Sequence, residues 1–319
     1  MKKKLISLMM AVAMTFGLTS CGSASSDGYT VGICQLVQHE ALDAATQGFK
    51  DALVAELGEE KVTFDEQNAS GDSVNCSTIV NGFVSKNVDL ILANATGALT
   101  AATSATNEIP VLGTAITAYS VALDLDDATF TGTVGGNVSG TSDLAPLDEQ
   151  AAMILEWFPD TKEVGIIYCS AEANSVYQVN EITKALADLG VNATAYAFTD
   201  SNDVTSVTNK ACETSDVIYI PTDNTAASNT EAIANVVVPA KVPVIAGEAG
   251  ICKGCGIATL SISYYDLGYT TGKMAAKVLT GEADISEMPI EYAPVTKYYN
   301  AELAEQYGLT PVEGYEVLE

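Results

Sequence analysis

Residues 217–229 read VIYIPTDNTAASN, and the reading of this stretch decides the fold. Val217–Ile220 form a short β-rich apolar run, Pro221 ends it, and Thr222-Asp223-Asn224 leads into small polar residues. A short apolar run closed by turn residues is the signature of a strand buried in a parallel sheet. In an open α/β sheet, ligands bind in the crevice beyond the carboxyl ends of the strands. Asp and Asn are also favoured helix N-caps. Asp223 and Asn224 therefore carry two readings, ligand contact or helix cap.

Outward from this stretch the chain alternates two periodicities. Strand-like runs fall at 29–36, 62–67, 88–95 and 109–116, with helical periods between them at 39–57 and 73–87. The second half repeats the plan, with strands at 163–170, 193–199, 216–222 and 242–248 and helices at 175–189, 203–213 and 224–237. Strands alternating with helices imply βαβ units and a parallel sheet covered on both faces. The expectation is an α/β chain of two doubly wound parallel-sheet lobes. The join falls near the Gly/Ser/Thr-rich GTVGGNVSGTSDLAPL, residues 132–147. A further helix at 264–281, a strand-like PIEYAPVTKYYN and a closing helix AELAEQYGL are surplus to two closed domains. They predict hinge crossovers, with one lobe at 29–142 plus about 263–287 and the other at 143–262 plus about 288–319.

The N-terminus predicts export. Lys2–Lys4 precede an apolar stretch too short for a comfortable membrane span, followed by Leu18-Thr19-Ser20-Cys21. This resembles the bacterial lipobox, in which the cysteine is acylated. Residues 1–20 then form a lipoprotein signal peptide and 21–28 a tether. Its removal takes away three lysines and no acid, so the net charge moves from −27 to −30. Such a chain cannot neutralise phosphates, which excludes nucleic acid as partner. All 14 basic residues are lysine. With no arginine, a bidentate clamp on a ligand carboxylate is unavailable.

Polar residues gather where the predicted strands end. They are Gln35 with Gln38 and His39, then Thr96, then Thr114 with Thr117. In the second half they are Ser170, Glu172, Asn174 and Ser175, then Asp223 and Asn224, then Glu248. Each alone reads equally well as a cap, but together they line the ligand edge of both sheets. His39 is the only histidine and stands at a helix start with no serine elbow near it in sequence, so capping or a backbone hydrogen bond explains it. No phosphate-binding glycine loop precedes a helix. Catalytic residues, cofactors and metal sites are therefore not expected. Cys252 and Cys255, in ICKGCG, form an isolated C-x-x-C that leaves a thiol redox protein as the rival reading.

The segments QLVQHEALDAATQGF (35–49), NVSGTSD (137–143), IIYCSAEANS (166–175), IYIPTDN (218–224) and YYDLGYTTGKMAAKVL (264–279) make the chain resemble a known family. They are similar to the ABC-transporter substrate-binding lipoproteins related to the tryptophan/tyrosine-binding group, which have the type I periplasmic-binding-protein fold. The resemblance covers residues 29–310 and implies a small zwitterionic ligand, an amino acid, aromatic ones included, captured between closing lobes. It implies that Asp223 meets the ligand ammonium with Asn224 beside it. Thr96, Thr117 and Ser175 with helix-start N–H groups would hold the carboxylate, and Tyr119, Tyr177 or Tyr264 would select the side chain. Gln35, Asn174 and Glu248 complete the expected ligand edge. The implied partners are a permease and an ATPase, with the chain a lipid-anchored monomer on the extracytoplasmic face of the cell membrane. A receptor for a nucleoside, sugar or peptide fragment is the alternative within the binding class.

Overall fold

The computed structural model describes residues 28–126 and 129–318. The expected signal peptide, Cys21 and the tether up to residue 27 lie outside the described residues. The first lobe is built from β1 (Tyr29–Gln35), α1 (Glu40–Leu57), β2 (Val62–Asn68), α2 (Ser73–Lys86), β3 (Leu90–Asn94), α3 (Thr96–Ala105), β4 (Val111–Ile116), α4 (Tyr119–Ala122) and β5 (Val138–Ser142). These strands pair in parallel in the order β2-β1-β3-β4-β5. β3 and β4 are buried along their whole length, which is why they read as unbroken apolar runs. β2 lies at the sheet edge and carries exposed polar side chains, as an edge safe from further pairing does.

The second lobe runs through α5 (Leu147–Trp157), β6 (Glu163–Cys169), α6 (Ala173–Asp188), β7 (Asn192–Phe198), α7 (Val204–Cys212), β8 (Val217–Ile220), α8 (Asn224–Ala227), α9 (Thr230–Ala240), β9 (Val244–Ala246), α10 (Ala249–Cys255) and β10 (Ala258–Ile262). Its strand order, β7-β6-β8-β9-β10, repeats the first. The helix expected over 224–237 is broken, because Asn229 leaves helical geometry between α8 and α9.

The rest of the chain is α11 (Tyr264–Leu279), β11 (Glu291–Tyr292), β12 (Val295–Tyr299), α12 (Ala301–Gln306) and β13 (Glu316–Val317). α11 returns to pack on α1, and β11 adds to the first sheet beside β5. β12 then joins the second sheet antiparallel to β10. The strand-like PIEYAPVTKYYN is thus two strands in two sheets. The last crossing falls after Tyr292, not near 288, because β11 is still paired with β5. The glycine-rich join likewise conceals a strand: β5 occupies Val138–Ser142, and Gly140 takes φ +143° against the Gly113 backbone, where a side chain would collide.

α1 and α11 approach to backbone contact. A methyl group on Gly48 would strike the Tyr265 carbonyl, and one on Gly268 would strike the Ala45 carbonyl. Thr271 Oγ1 lies 2.8 Å from Thr141 Oγ1, which ties the same helix to β5. Forcing a methyl into so close a packing costs about 1–3 kcal/mol. Gly268→Ala is expected to lower the melting temperature by several degrees, since each kcal/mol is worth roughly 2–4 °C in a chain of this size. Thermal denaturation followed by circular dichroism checks it.

Candidate ligand site

In both sheets the first strand of the lobe lies between the second and the third, so the winding reverses there. Beyond the carboxyl ends at such a reversal the loops part and a ligand crevice opens. The first reversal lies between β1 and β3, the second between β6 and β8. The loops that follow these strands meet across the gap between the lobes. They enclose a narrow cavity of about 10 Å³, room for little more than one water molecule. His39, Ala115 and Thr117 form its first-lobe wall, and Asn174, Thr222, Asp223, Asn224 and Glu248 the second. Asp143 and Tyr264 stand where the chain crosses between lobes.

Its most telling feature is three buried carboxyls. Asp223 follows β8; its Oδ2 accepts the Cys169 N–H at 2.6 Å, and its Oδ1 accepts the Ala226 N–H at 2.8 Å, capping α8. Burial, and next the neighbouring Glu172 carboxylate, push it up to about 7, against the pull of these N–H donors. Glu248 caps α10 through the Gly250 and Ile251 N–H groups, and burial pushes it up to about 7 as well. Asp143 accepts from Thr117 Oγ1 at 3.1 Å and from the Tyr264 hydroxyl at 2.9 Å; burial raises it above the usual carboxylate range. Among the described residues no three His, Cys, Asp or Glu side chains converge as metal ligands. His39 is the one basic residue on the described walls, and burial lowers its pKa.

Asp223 is therefore a cap, and the question raised by PTDN has a two-sided answer. Both oxygens already accept fixed backbone donors, yet the residue borders the cavity. Asparagine would not replace it evenly, since its amide nitrogen would face one of those N–H groups. Glu172 supports the same corner from outside, taking the Asn224 N–H at 3.0 Å and the Thr225 N–H at 2.8 Å. Backbone strain also collects here. Ala95 at the end of β3 and Ala115 in β4 hold φ of +84° and +54°, conformations that cost about 1–3 kcal/mol each and cluster at functional sites. Ala115 sits where the β4–β5 register slips, so the strand turns its end into the cavity.

The structure does not bring every expected residue to the cavity. Gln35 is consumed within the first lobe, donating to the Val37 carbonyl and to Asp43 Oδ1 and accepting from Thr46. Ser175 is fully buried behind Asp223, towards which its hydroxyl hydrogen-bonds. Tyr119 turns into the first-lobe core, with its hydroxyl on the Gly113 and Thr141 carbonyls, and Tyr177 lines a different hollow beside Leu144–Asp148. Thr96 lines a wider groove of about 800 Å³ that shares Asn174 and Asn224 with the cavity as walls. His39 makes no side-chain cap; its Nε2 meets Asn224 Oδ1 at 3.2 Å across the lobes. Asp143 was not among the expected contacts, although it ends the NVSGTSD segment directly after β5, as Asp223 ends the turn that follows β8.

The C-x-x-C pair lacks the setting of reactive thiols. Cys252 and Cys255 are buried in α10, and burial pushes both thiols far up, the reverse of a reactive pair. All six described cysteines are free thiols.

Residues 30–314 match the family model for ABC transporter substrate binding proteins. The chain belongs to that family. It is 31% identical to a tyrosine-binding protein of Clostridioides difficile strain R20291, over 90% of this chain and 87% of that one. Among solved structures, a Streptococcus pneumonia ABC domain in complex with L-Trp matches with a TM-score of 0.85 at 30% identity, covering 91% of this chain and 99% of the other. The ligand-free, open form of a Clostridium difficile substrate-binding protein with adhesive properties matches at 0.69, with 32% identity over the same shares. The lobes of this substrate-binding protein thus stand closer to the ligand-bound arrangement than to the open one.

The raised carboxyls set a pH dependence. Between about pH 4 and pH 7 these acids bind more protons in the folded protein than in the unfolded chain, so their contribution to stability falls as pH rises through that window, outweighing the opposite contribution of the single lowered His39. The contribution is complete below the unfolded carboxyl range and is lost above about 7, where Asp223 and Glu248 ionise. Surface carboxyls held low, such as Asp65 and Asp216, act only in stronger acid. The melting temperature of ligand-free protein is therefore expected to rise from about pH 8 to about pH 5.5. A flat or falling profile would contradict the burial of these acids.

Proposed function

We propose that this substrate-binding protein captures an amino acid for import, with the ligand ammonium in the acidic cavity and the rest of the molecule in the adjoining groove. The observation that carries the reading is three buried carboxyls around a space of one water molecule, with no lysine among the described lining residues. An ammonium group is about the size of water and brings the missing positive charge. The adjoining groove is walled partly by Leu36, Val37 and Ala101, which suits an apolar or aromatic side chain. The named ligands of the relatives, tyrosine and L-Trp, point the same way. Tyr264 is the one Phe, Tyr or Trp ring on the described cavity walls, so the stacked aromatic platforms of a sugar site are not what lines it.

The site residues proposed are Thr117, Asn174, Asp223, Asn224, Glu248 and Tyr264 around the cavity, with Thr96 in the groove. Binding by hinge closure accounts for the chain's activity without catalysis. We further propose that it works as a lipid-anchored monomer on the outer face of the membrane, through Cys21, delivering to a permease and its ATPase.

A thermal-shift screen of the proteinogenic amino acids tests the reading. L-tyrosine or L-tryptophan is expected to raise the melting temperature the most, with free sugars and nucleosides inert. Stabilisation by a sugar and by no amino acid would overturn it.

A further inference from the structure

We infer that Asp143, in preference to Asp223 and Glu248, is the carboxylate that meets the ligand amine and makes the protein select amine-bearing molecules. The inference rests on the reading that the cavity takes an ammonium. Three carboxyls border the cavity, but their charges are not equally spent. Asp223 gives its oxygens to the Cys169 N–H at the end of β6 and the Ala226 N–H at the start of α8, and Glu248 gives both of its own to N–H groups at the start of α10. Those donors are fixed in direction and carry the positive end of the peptide dipoles, so they compensate the charge in place. Asp143 accepts from two hydroxyls, Thr117 Oγ1 and the Tyr264 hydroxyl, and from a single backbone donor, its own N–H. A hydroxyl rotates and brings no fixed positive charge. Asp143 is therefore the wall carboxyl with the fewest fixed donors, and the one whose partners can turn to make room for a ligand.

Its place in the chain supports the same role. Asp143 is the first residue after β5, on the first crossing between lobes, and its N–H is held by the Ile116 carbonyl. Tyr264 opens α11 on the second crossing. An amine held at Asp143 thus sits beside the hinge, where closure displaces it least, and the second lobe closes onto it. On that second wall the Thr222 hydroxyl oxygen is buried with no hydrogen-bond partner among the described residues. It is a ready second acceptor for an ammonium, which has three protons to place.

Asp143→Asn should fold, because both hydroxyls can turn to suit an amide, whereas the backbone donors on Asp223 and Glu248 cannot. The probes are L-tyrosine and L-tryptophan, each paired with its amine-free analogue, 3-(4-hydroxyphenyl)propanoate and 3-indolepropanoate, titrated by calorimetry against the full chain. Wild type is expected to prefer the amine-bearing member by about thirtyfold or more. Asp143→Asn should lose about that factor for the amino acid and little for the analogue, so that the preference collapses. Tyr264→Phe breaks the same hydrogen bond but keeps the charge; it should weaken both members together and leave their ratio intact. If Asp143→Asn keeps the wild-type ratio, the assignment is overturned and the amine lies elsewhere. If Tyr264→Phe abolishes the ratio as fully, Asp143 is a hinge post and the assignment is again overturned. Wild type that binds neither amino acid, or does not discriminate, overturns the amine reading itself and the assignment with it.

Discussion

Three carboxyl groups around a space of one water molecule, with no lysine among the described lining residues, are the constraint on which the rest of this structure depends. Burying an ionised carboxylate without a partner is costly enough that the group takes up a proton instead. Burial shifts Asp143, Asp223 and Glu248 all in that direction. The lobes have little else holding them together at this point. His39 meets Asn224 at 3.2 Å, and the exposed Lys253–Glu40 pair at 3.0 Å is worth at most about 1 kcal/mol. A cation placed among the acids would relieve the cost and favour closure. An empty cleft is left with an unsatisfied charge that favours opening.

The fold delivers these groups to one place by ordinary means. Two sheets with the same winding turn their carboxyl edges towards each other, so the residues that end β8 and β9 and cap the next helices face the residues that end β4 and β5. The repeated crossing of the chain makes the hinge part of the site, since Asp143 and Tyr264 belong to different crossings and are hydrogen-bonded to each other. The close contact of α1 with α11 locks the returning helix onto the first lobe. Movement of the second lobe is then read out at the crossings.

Much of this was legible in the sequence because buried parallel strands are short apolar runs with sharp ends. The stretch VIYIPTDN reads as strand, breaker and cap, and the structure has β8, Pro221 and Asp223 in those roles. What escaped was decided by partners distant in sequence. β5 hides in a glycine-rich segment because its value lies in close approach to Gly113, not in apolar side chains. Gln35 stands at a strand end like its fellows, but Asp43 and Thr46, one and two turns along α1, claim its amide. Asp143 was passed over since the stretch around it looked like a linker. His39 could not show its partner, which is 185 residues away. Local pattern thus located the edge of the sheets, while tertiary pairing decided which polar groups there remain open to a ligand.

The central claim is that the cavity acids ionise to receive a ligand cation, and proton exchange on binding tests it most directly. The measurement is calorimetric titration of the amino-acid ligand at about pH 6 and about pH 8, in buffers of different ionisation enthalpy. At the lower pH the acids hold protons that an incoming ammonium must displace. The account predicts tighter binding at the higher pH and net release of protons to the buffer at the lower. Equal affinity at both values, with no proton exchanged, would contradict it.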